Sequence, residues 1–584
     1  MAENDSRNFK RALDISTLAV GLGAAGLLLV EYGFALAPAR QEALITGVRV
    51  VLWTMLGLQL LRETVNADWT RRRWRCLSPL AVNGALLVLL ALEAWLVPVL
   101  RERWPGPGAA RWQVLYLTTV HVLVLGVFAH RLLHFNQLLA FARISPRSIL
   151  ISSYLALIGL GTLLLKLPNA TTTPLSWLDA LFTSTSAVCV TGLIVVDTAT
   201  AFTPTGQTIL LILIQLGGLG LMTFTYFFVS LFGSGITIRD RALLLEFLNE
   251  EYVGRVSGSL IAIVVMTLIF EAGGAVLLHA TTPATADGTW FESVFHSVSA
   301  FCNAGFSIYS AGLYDPITRS NLPYQGVIMG LIVVGGLGFP VLKNLWDNFV
   351  TRLARPRERP VRLTTHTRLV LATTAGLVAG GALLLFVVEL PSEVRAGEAP
   401  RWFVALFNSV TARTAGFNTI PMDALLPAGA LVMIFLMFIG GSPASTAGGI
   451  KTTTFAIALL NTLRILRDAS GDLVAFRRQI PASVASRAFA VALLAIAWAM
   501  GSALLLALLM PEAPPLDVIF ETVSAFSTVG LSRGLTGTLP AAGKIVIVAS
   551  MLVGRVGILY VALGVLRKER PGRLAYPESN VIIS

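Results

Sequence analysis

The stretch FTSTSAVCVTG, Phe182 to Gly192, decides the fold of this chain. Its centre is rich in Ser and Thr and is too polar for an ordinary membrane helix, although long apolar runs lie on both sides of it. Counted from Trp177, the segment is also too short to cross the roughly 30 Å hydrocarbon layer of a bilayer. We therefore predict a re-entrant segment, which enters and leaves the membrane on the same side.

Three further stretches resemble this one. Each contains Phe, then Ser or Thr followed by Ala, and ends in Gly, and the four glycines recur at nearly equal intervals: FHSVSAFCNAG (Phe295 to Gly305), FNSVTARTAG (Phe407 to Gly416) and FETVSAFSTVG (Phe520 to Gly530). Four similar segments at even spacing indicate an internal repeat. We interpret the unit as a membrane helix, a short amphipathic segment ending in Gly, and a second membrane helix.

The composition requires an integral membrane protein. Of the 584 residues, 55% are hydrophobic and only 13% are charged, which is far outside the range of soluble domains. Runs of about 20 apolar residues, the length that spans a bilayer, recur along the chain, for example at Leu13 to Pro38, Ser78 to Leu100, Ser259 to Ala280 and Leu369 to Leu390. The net charge of +12 comes from basic residues in short loops beside these runs. Such loops orient membrane proteins and do not indicate nucleic-acid binding.

The predicted fold is an all-α polytopic membrane protein with four helix, pore-loop, helix repeats around one pseudo-fourfold pore. Four further transmembrane helices precede the repeats, at about Leu13 to Pro38, Ala43 to Leu61, Ser78 to Leu100 and Val114 to Leu133. The predicted regions are 1–147 for the N-terminal helices, 148–255, 256–366 and 367–484 for the first three repeats, and 485–584 for the fourth repeat and the C-terminus. Placing the basic loops in the cytoplasm puts both termini there as well.

The four segments have the chemistry of an ion path. A cation crossing the membrane must exchange its hydration shell for oxygens, and rings of backbone carbonyls supply them. Gly allows backbone angles that turn carbonyls towards an axis, and the partly negative end of a short helix lies just before it. One hydroxyl in each repeat, from Ser186, Ser299, Thr411 and Ser524, can anchor its loop through hydrogen bonds to the backbone.

These motifs are similar to those of a known family. From about Ser148 to Leu566 the chain resembles the Trk/Ktr/HKT superfamily of potassium transporters, most closely the bacterial Ktr branch, in SAVCVTGL, SAFCNAGF, TARTAGFNT and SAFSTVGLS. The resemblance implies four filter segments that bind potassium through backbone carbonyls: Val190, Thr191, Gly192; Asn303, Ala304, Gly305; Thr414, Ala415, Gly416; and Thr528, Val529, Gly530. Plant members that favour sodium have Ser at the first filter position. Gly192 occupies that position here, which favours potassium.

The third repeat departs from the other three. One residue fewer separates its Ala from its Gly, so we do not expect strict fourfold symmetry. Arg413 stands where the other loops have Cys189, Cys302 and Ser527. A cation directed at the axis would oppose potassium. We favour the alternative, in which Arg413 points away and holds the loop through hydrogen bonds to neighbouring carbonyls or Glu side chains.

A second unusual stretch is FIGGSPASTAGGIKTTTF, Phe438 to Phe455, within an otherwise apolar run. Tight packing through small residues would explain its glycines, but a broken segment lining a wet cavity also explains its polar residues. In the resembling family this segment forms a gate below the filter. The resemblance implies a gate made of Gly440, Gly441, Ser442, Pro443, Ser445, Thr446, Gly448, Gly449 and Lys451, together with Arg555 of the last apolar run.

Two other features have open roles. Glu271 is the single acid of its apolar run, and we favour a hydrogen-bonding partner between helices over an ion relay. In the N-terminal region Arg49 stands alone in its run, which argues against a voltage sensor. Whether Glu31, Asn83, Glu93 and His121 form a polar cluster there stays open.

The predicted function is potassium uptake across the plasma membrane, in bacteria the inner membrane, down the electrochemical gradient. One alternative is potassium symport with sodium or proton, for which no acid pair is evident; a membrane enzyme is the other, but the chain has no matching catalytic constellation. No nucleotide fingerprint or covalently bound cofactor is expected. The resemblance implies a homodimer and a separate cytosolic ring of nucleotide-binding subunits, docked on the basic loops Arg239 to Arg255, Lys343 to Arg362 and Arg464 to Arg478.

Overall fold

The structure is a computed structural model that describes residues 146–232, 256–282, 289–354, 362–389, 399–467 and 473–558. Isolated positions from Ser16 to Gly33 and from Gly47 to Leu61, within the first two predicted N-terminal helices, are also described and are helical. The third and fourth predicted N-terminal helices, the loop Arg239 to Arg255 and most of the C-terminal tail lie outside the described residues, as do Arg49, Glu31, Asn83, Glu93 and His121.

Long helices alternate with short ones along the described chain. The first half contains α1 (Pro146–Leu165), α2 (Trp177–Val188), α3 (Thr198–Ala201), α4 (Pro204–Phe232), α5 (Val256–Thr281), α6 (Trp290–Phe301), α7 (Leu322–Leu337) and α8 (Phe339–Ala354). The second half contains α9 (Thr365–Val388), α10 (Arg401–Thr411), α11 (Pro427–Phe438), α12 (Thr452–Leu466), α13 (Ala482–Leu509), α14 (Pro515–Phe526) and α15 (Ala541–Val556). An antiparallel hairpin of β1 (Leu473–Ala475) and β2 (Arg478–Ile480) precedes α13.

The length and composition of the helices suit a membrane. Among the described residues, three single helices are long and apolar enough to cross it, at Ala262–Thr281, Thr365–Val388 and Ala482–Leu509. The pair Leu322–Leu337 and Phe339–Leu353 qualifies only when taken together, and it is bent by 102° at its break. The predicted all-α membrane fold is confirmed.

The four stretches that end in Gly each begin as a short helix, namely α2, α6, α10 and α14. These helices have 12, 12, 11 and 12 residues, and a helix of that length spans only about 18 Å. They are therefore too short to cross the hydrocarbon layer, as the sequence predicts. In α2 the N-cap hydroxyl of Ser176 accepts a hydrogen bond from Asp179 N, and Thr289 does the same for Glu292 N in α6.

The same contact fastens three of the short helices to the long helix before them. Ser184 Oγ donates to Ile158 O at 2.8 Å, Ser297 Oγ to Glu271 O at 2.6 Å, and Ser409 Oγ to Val378 O at 2.8 Å. In each long helix a glycine lies three residues after the accepting carbonyl, namely Gly161, Gly274 and Gly381. A Cβ at any of these glycines would lie within 3.0 Å of the Oγ of the bonded Ser. In the fourth repeat Thr522 bonds within its own helix instead.

Candidate functional site: the filter segments and the gate segment

The filter segments share one backbone conformation. The residue two positions before each glycine has a positive φ, 55° at Val190, 58° at Asn303, 67° at Thr414 and 52° at Thr528. The glycines Gly192, Gly305, Gly416 and Gly530 have φ of 90°, 69°, 77° and 94°. A positive φ is unfavourable for a β-branched residue such as Val190, so packing around the segment must hold it. Gly supplies the second left-handed position without that cost.

The third segment reaches this conformation by a tighter turn. In the first, second and fourth repeats the residue before the glycine donates its backbone N–H to a carbonyl five positions earlier: Thr191 to Ser186, Ala304 to Ser299 and Val529 to Ser524. In the third, Ala415 N donates to Thr411 O, four positions earlier. The third repeat has one residue fewer between its anchor hydroxyl and its filter segment, and the shorter turn compensates for it. The predicted asymmetry of the third repeat lies in this turn.

The four glycines meet around a common centre. A Cβ built on Gly192 would lie within 3.0 Å of Ala304 O, and one on Gly305 within 3.0 Å of Ala415 O. A Cβ on Gly416 would likewise lie within 3.0 Å of Val529 O, and one on Gly530 within 3.0 Å of Thr191 O. The fourth segment therefore contacts the first, and the four segments form a closed ring. Each segment thus contacts the next in chain order, and a side chain at any of the four glycines would collide with the neighbouring backbone.

The four predicted anchor hydroxyls bond to the backbone, in two different ways. Ser186 Oγ and Ser524 Oγ accept from the backbone N–H of Gly192 and Gly530, each at 3.1 Å. Ser299 Oγ and Thr411 Oγ1 instead donate to the carbonyls of Phe306 and Phe417, each at 2.7 Å. The predicted anchoring is confirmed. The first and fourth repeats use one form of it, and the second and third repeats use the other.

If these segments form the selectivity filter that the resemblance implies, we expect Ser299→Ala to weaken ion discrimination without unfolding the chain. The substitution leaves Phe306 O without its donor, and a buried hydrogen bond contributes about 1 kcal/mol to the stability of the loop. If all of that energy holds the filter geometry, potassium over sodium selectivity in vesicle flux falls by up to about fivefold. Ser486→Ala is the matched control, because Ser486 Oγ bonds to Ala482 O on an exposed helix surface. Equal selectivity in both variants would contradict the anchoring role.

The apolar run of the third repeat is interrupted where the sequence predicts it. Helix α11 ends at Phe438 and α12 begins at Thr452. The residues between them form a closed loop, which we call the gate segment, Gly440 to Lys451. Gly440 N donates to Ile450 O at 2.8 Å, and Thr452 N donates to Gly441 O at 3.0 Å. Backbone bonds across the neck of the loop therefore hold its two ends together.

Three cationic side chains donate to carbonyls of this segment. Arg413 Nη2 donates to Gly440 O at 3.1 Å, and Lys451 Nζ donates to Ala447 O at 2.7 Å. Arg555 Nη1 donates to Thr446 O, while its Nη2 donates to Gly217 O of α4 at 2.5 Å. Arg413 bonds to a neighbouring carbonyl, as favoured from the sequence, but that carbonyl belongs to the gate segment and not to its own filter loop.

The gate segment lies directly against the filter segments. Thr446 Oγ1 donates to Phe301 O at 3.3 Å, at the end of the second short helix. A Cβ built on Gly448 would lie within 3.0 Å of the Thr528 side chain, and one on Gly440 would lie 3.2 Å from Thr414 Cγ2. The small residues of the segment thus allow it to approach the filter segments closely.

A break in the second helix of the second repeat was not predicted from the sequence. Gly338, with φ of 83°, separates α7 from α8. At this break Ser442 N donates to Gly336 O at 3.0 Å, Ser442 Oγ donates to Leu337 O, and Phe339 N donates to Ala444 O at 3.1 Å. The signal was present as GGLGFP, Gly335 to Pro340, since Gly and Pro weaken a helix.

Glu271 joins three elements. Its carboxylate accepts from Gln215 Nε2 of α4 at 3.0 Å and from Cys302 Sγ, just after α6, at 3.7 Å. Glu271 itself lies in α5 and is buried. This is the hydrogen-bonding role between helices that the sequence favours for Glu271.

Two ion pairs, with acids in the first turns of α2 and α14, were not identified from the sequence. Lys544 Nζ lies 2.5 Å from Asp179 Oδ1 and joins the last helix to α2. Arg533 Nε lies 2.6 Å from Asp517 Oδ1, and Arg533 Nη1 donates to Met422 O at 2.8 Å. The contacts of Lys544 with Asp179 and of Arg533 with Met422 O join residues of different repeats, whereas the Arg533–Asp517 pair lies within the fourth repeat. Pairs so distant in sequence leave no local sequence signal.

The comparisons with known proteins establish the family of this chain. A family model described as TrkH, cation transport protein, matches residues 120–570. The chain belongs to this family. It is 36% identical over 453 residues to the Ktr system potassium uptake protein B of Bacillus subtilis, covering 76% of this chain and 98% of that protein. The predicted resemblance to the Trk/Ktr superfamily is thereby confirmed.

Two further comparisons extend the TrkH family assignment. The chain is 35% identical over 453 residues to the potassium/sodium uptake protein NtpJ of Enterococcus hirae, covering 76% of this chain and 98% of that protein. Its fold resembles the crystal structure of the potassium transporter TrkH from Vibrio parahaemolyticus, with a TM-score of 0.59, 19% identity and coverage of 83% and 97% of the two chains. Because these relatives are named as transport proteins, this TrkH family member is a membrane transport protein and not an enzyme.

Proposed function

We propose that the chain takes up potassium through a gated pore whose filter is the circle of four glycines. The observation that carries this proposal is the closed contact of each glycine with the backbone of the next segment. Backbone that meets at one centre, without side chains in between, can direct carbonyl oxygens at an ion. On this proposal, the carbonyls of the twelve filter residues replace the hydration shell of potassium, which is the transported ion and not a resident cofactor.

Polar atoms around the filter support a wet path. The hydroxyls of Thr191, Ser527 and Thr528 are buried, and within the described part of the chain they have no hydrogen-bond partner. A buried polar group without a partner is costly in a dry interior. We infer that water or the passing ion satisfies these hydroxyls during transport.

The choice of potassium rests on the relatives and on Gly192. Both Ktr system potassium uptake protein B and NtpJ are named for potassium uptake. Gly192 keeps the first segment free of a side chain, as in the family members that favour potassium. A potential of 100 mV contributes about 2.3 kcal/mol per charge, enough to concentrate a cation roughly fiftyfold without another energy source.

The gate segment would close the path below the filter. Its carbonyls are held by Arg413, Lys451 and Arg555, and its small residues contact the filter segments. The positive charge of Arg555 beside the path would add an electrostatic barrier to a cation. Opening would then require the gate segment to move away from these donors.

Coupling to sodium is the second candidate, because NtpJ is named a potassium/sodium uptake protein. The deciding experiment is potassium flux into vesicles that contain the purified chain, with sodium and proton gradients varied independently. We expect flux that follows the potassium gradient and the membrane potential and is insensitive to the other two gradients. Flux that requires a sodium or proton gradient would establish symport, and no potassium flux under any nucleotide or partner condition would exclude potassium uptake.

The assembly is also part of the proposal. We propose a homodimer and a separate cytosolic ring of nucleotide-binding subunits, docked on the basic loops named above. The exposed side chains of Arg467 and Arg478 in the described part of these loops are available for such contacts. The mass of the purified complex, measured with and without candidate ring subunits, tests both statements.

A further inference from the structure

Helix α8 has an unusual position for a helix that follows a membrane span. Its axis is bent by 102° from that of α7, so that it lies across the direction of the spanning helices. Asn344 Oδ1 accepts from Thr364 N at 3.1 Å and from Thr367 Oγ1 at 2.9 Å, at the start of α9. Because α9 is long enough to span the bilayer, α8 lies at the membrane surface where α9 begins.

One side of α8 is apolar and exposed. The side chains of Trp346, Phe349, Val350 and Leu353 are 58%, 57%, 36% and 72% exposed, and their spacing of three and four residues places them on one helix face. The other faces contain Asn344, Asp347, Asn348, Thr351 and Arg352, while Lys343, seven positions before Val350, lies at the edge of the apolar face. An amphipathic helix with Trp on its apolar side and basic residues on its polar side is typical of the water–lipid interface.

The positive charge at the C-terminal end of α8 indicates that the bound lipid is anionic. Arg352 lies in the last turn of α8, and the sequence continues with Arg355, Arg357 and Arg359, against two acids, Asp347 of α8 and Glu358. Basic residues beside a membrane attract anionic headgroups, with about 1 kcal/mol for each residue near the surface. An anionic phospholipid of the adjoining leaflet therefore fits both the apolar face and the basic end.

Helix α8 is also joined to the gate segment. The break at Gly338 is bonded to that segment by Ser442 N to Gly336 O and by Phe339 N to Ala444 O, at 3.0 and 3.1 Å. A Cβ on Gly338 would lie within 3.0 Å of both Ser442 Oγ and Pro443 O. Any rotation of α8 about the break must therefore move or strain the gate segment.

We propose that α8 is a lipid-binding surface helix, whose apolar face contacts acyl chains and whose basic end binds anionic phospholipid headgroups. Through the break at Gly338, occupancy of this surface sets the position of the gate segment. The lipid contact stands on the geometry of α8 alone, whereas the effect on gating rests on the transport function proposed above.

The lipid contact is tested by fluorescence quenching of the full chain in phosphatidylcholine vesicles that contain brominated lipid. We expect Trp346→Phe to remove a quenched component, and brominated phosphatidylglycerol to quench that component more strongly than brominated phosphatidylcholine at the same fraction. Trp290→Phe is the matched control, since Trp290 is also exposed but lies beside Glu292 and not beside a basic cluster. If Trp346 is not quenched, the lipid contact is overturned. If the two brominated lipids quench it equally, the preference for anionic lipid is overturned.

The coupling is tested by potassium flux in vesicles with and without phosphatidylglycerol. We expect the flux to differ at least threefold between the two compositions, and Arg352→Gln to reduce this difference. Arg319→Gln, which removes one exposed positive charge from the loop before α7, should leave this difference unchanged. If Arg352→Gln keeps the full difference, the coupling is overturned. Absence of flux in every vesicle would overturn the transport function, while the quenching result would still decide the lipid contact.

Discussion

Replacing Gly192 with Ser should raise the sodium-to-potassium permeability ratio at least tenfold and lower potassium flux by a similar factor. Gly192 has φ of 90°, and a Cβ there would lie within 3.0 Å of Ala304 O. The side chain must therefore separate the first filter segment from the second, and the strained backbone costs a further 1–3 kcal/mol or so. A wider circle holds the carbonyls too far from potassium to replace its hydration shell.

Gly326→Ser is the matched control for this substitution. Gly326 lies in α7, and a Cβ built there would meet no atom within 4 Å. The control should keep both the potassium flux and the permeability ratio of the original chain. Both proteins are compared in the same vesicles, with potassium and sodium flux measured separately. A permeability ratio that stays unchanged in Gly192→Ser would contradict the assignment of Gly192 to the filter.

The shared conformation of the four segments that end in Gly could be predicted from sequence, because the same pattern recurs in every repeat. Phe, the anchoring hydroxyl and Gly recur in every copy, and only a backbone with left-handed turns requires Gly at that place. The break between α11 and α12 was also accessible, since Gly and Pro cluster within an apolar run. Local sequence determined each of these features.

The contacts between repeats could not be predicted in the same way. Arg555 contacts Thr446 and Gly217, and Lys544 contacts Asp179, across very long sequence separations. A buried cation in an apolar run shows that some oxygen must compensate its charge, but not which one. The partner of Arg413 illustrates the point, because the carbonyl that it binds lies in the gate segment.

Replacing Arg555 with Gln should raise potassium flux by about thirtyfold in the absence of any regulatory partner. At about 8 Å and an effective dielectric constant of about 20, one positive charge opposes a cation by about 2 kcal/mol. The substitution also removes the fixed charge that bridges Thr446 O of the gate segment and Gly217 O of α4. Both effects favour an open path, so they act in the same direction on flux.

Arg555→Lys separates the two contributions. Lysine keeps the positive charge, but its single ammonium group lacks the planar fork with which arginine reaches two carbonyls. If the charge sets the barrier, the Lys variant should transport potassium as slowly as the original chain. If the bridge sets it, the Lys variant should approach the flux of Arg555→Gln. Arg319→Gln, which removes a positive charge from an exposed loop, should leave potassium flux unchanged, and a flux that does not rise in Arg555→Gln would exclude Arg555 from the gate.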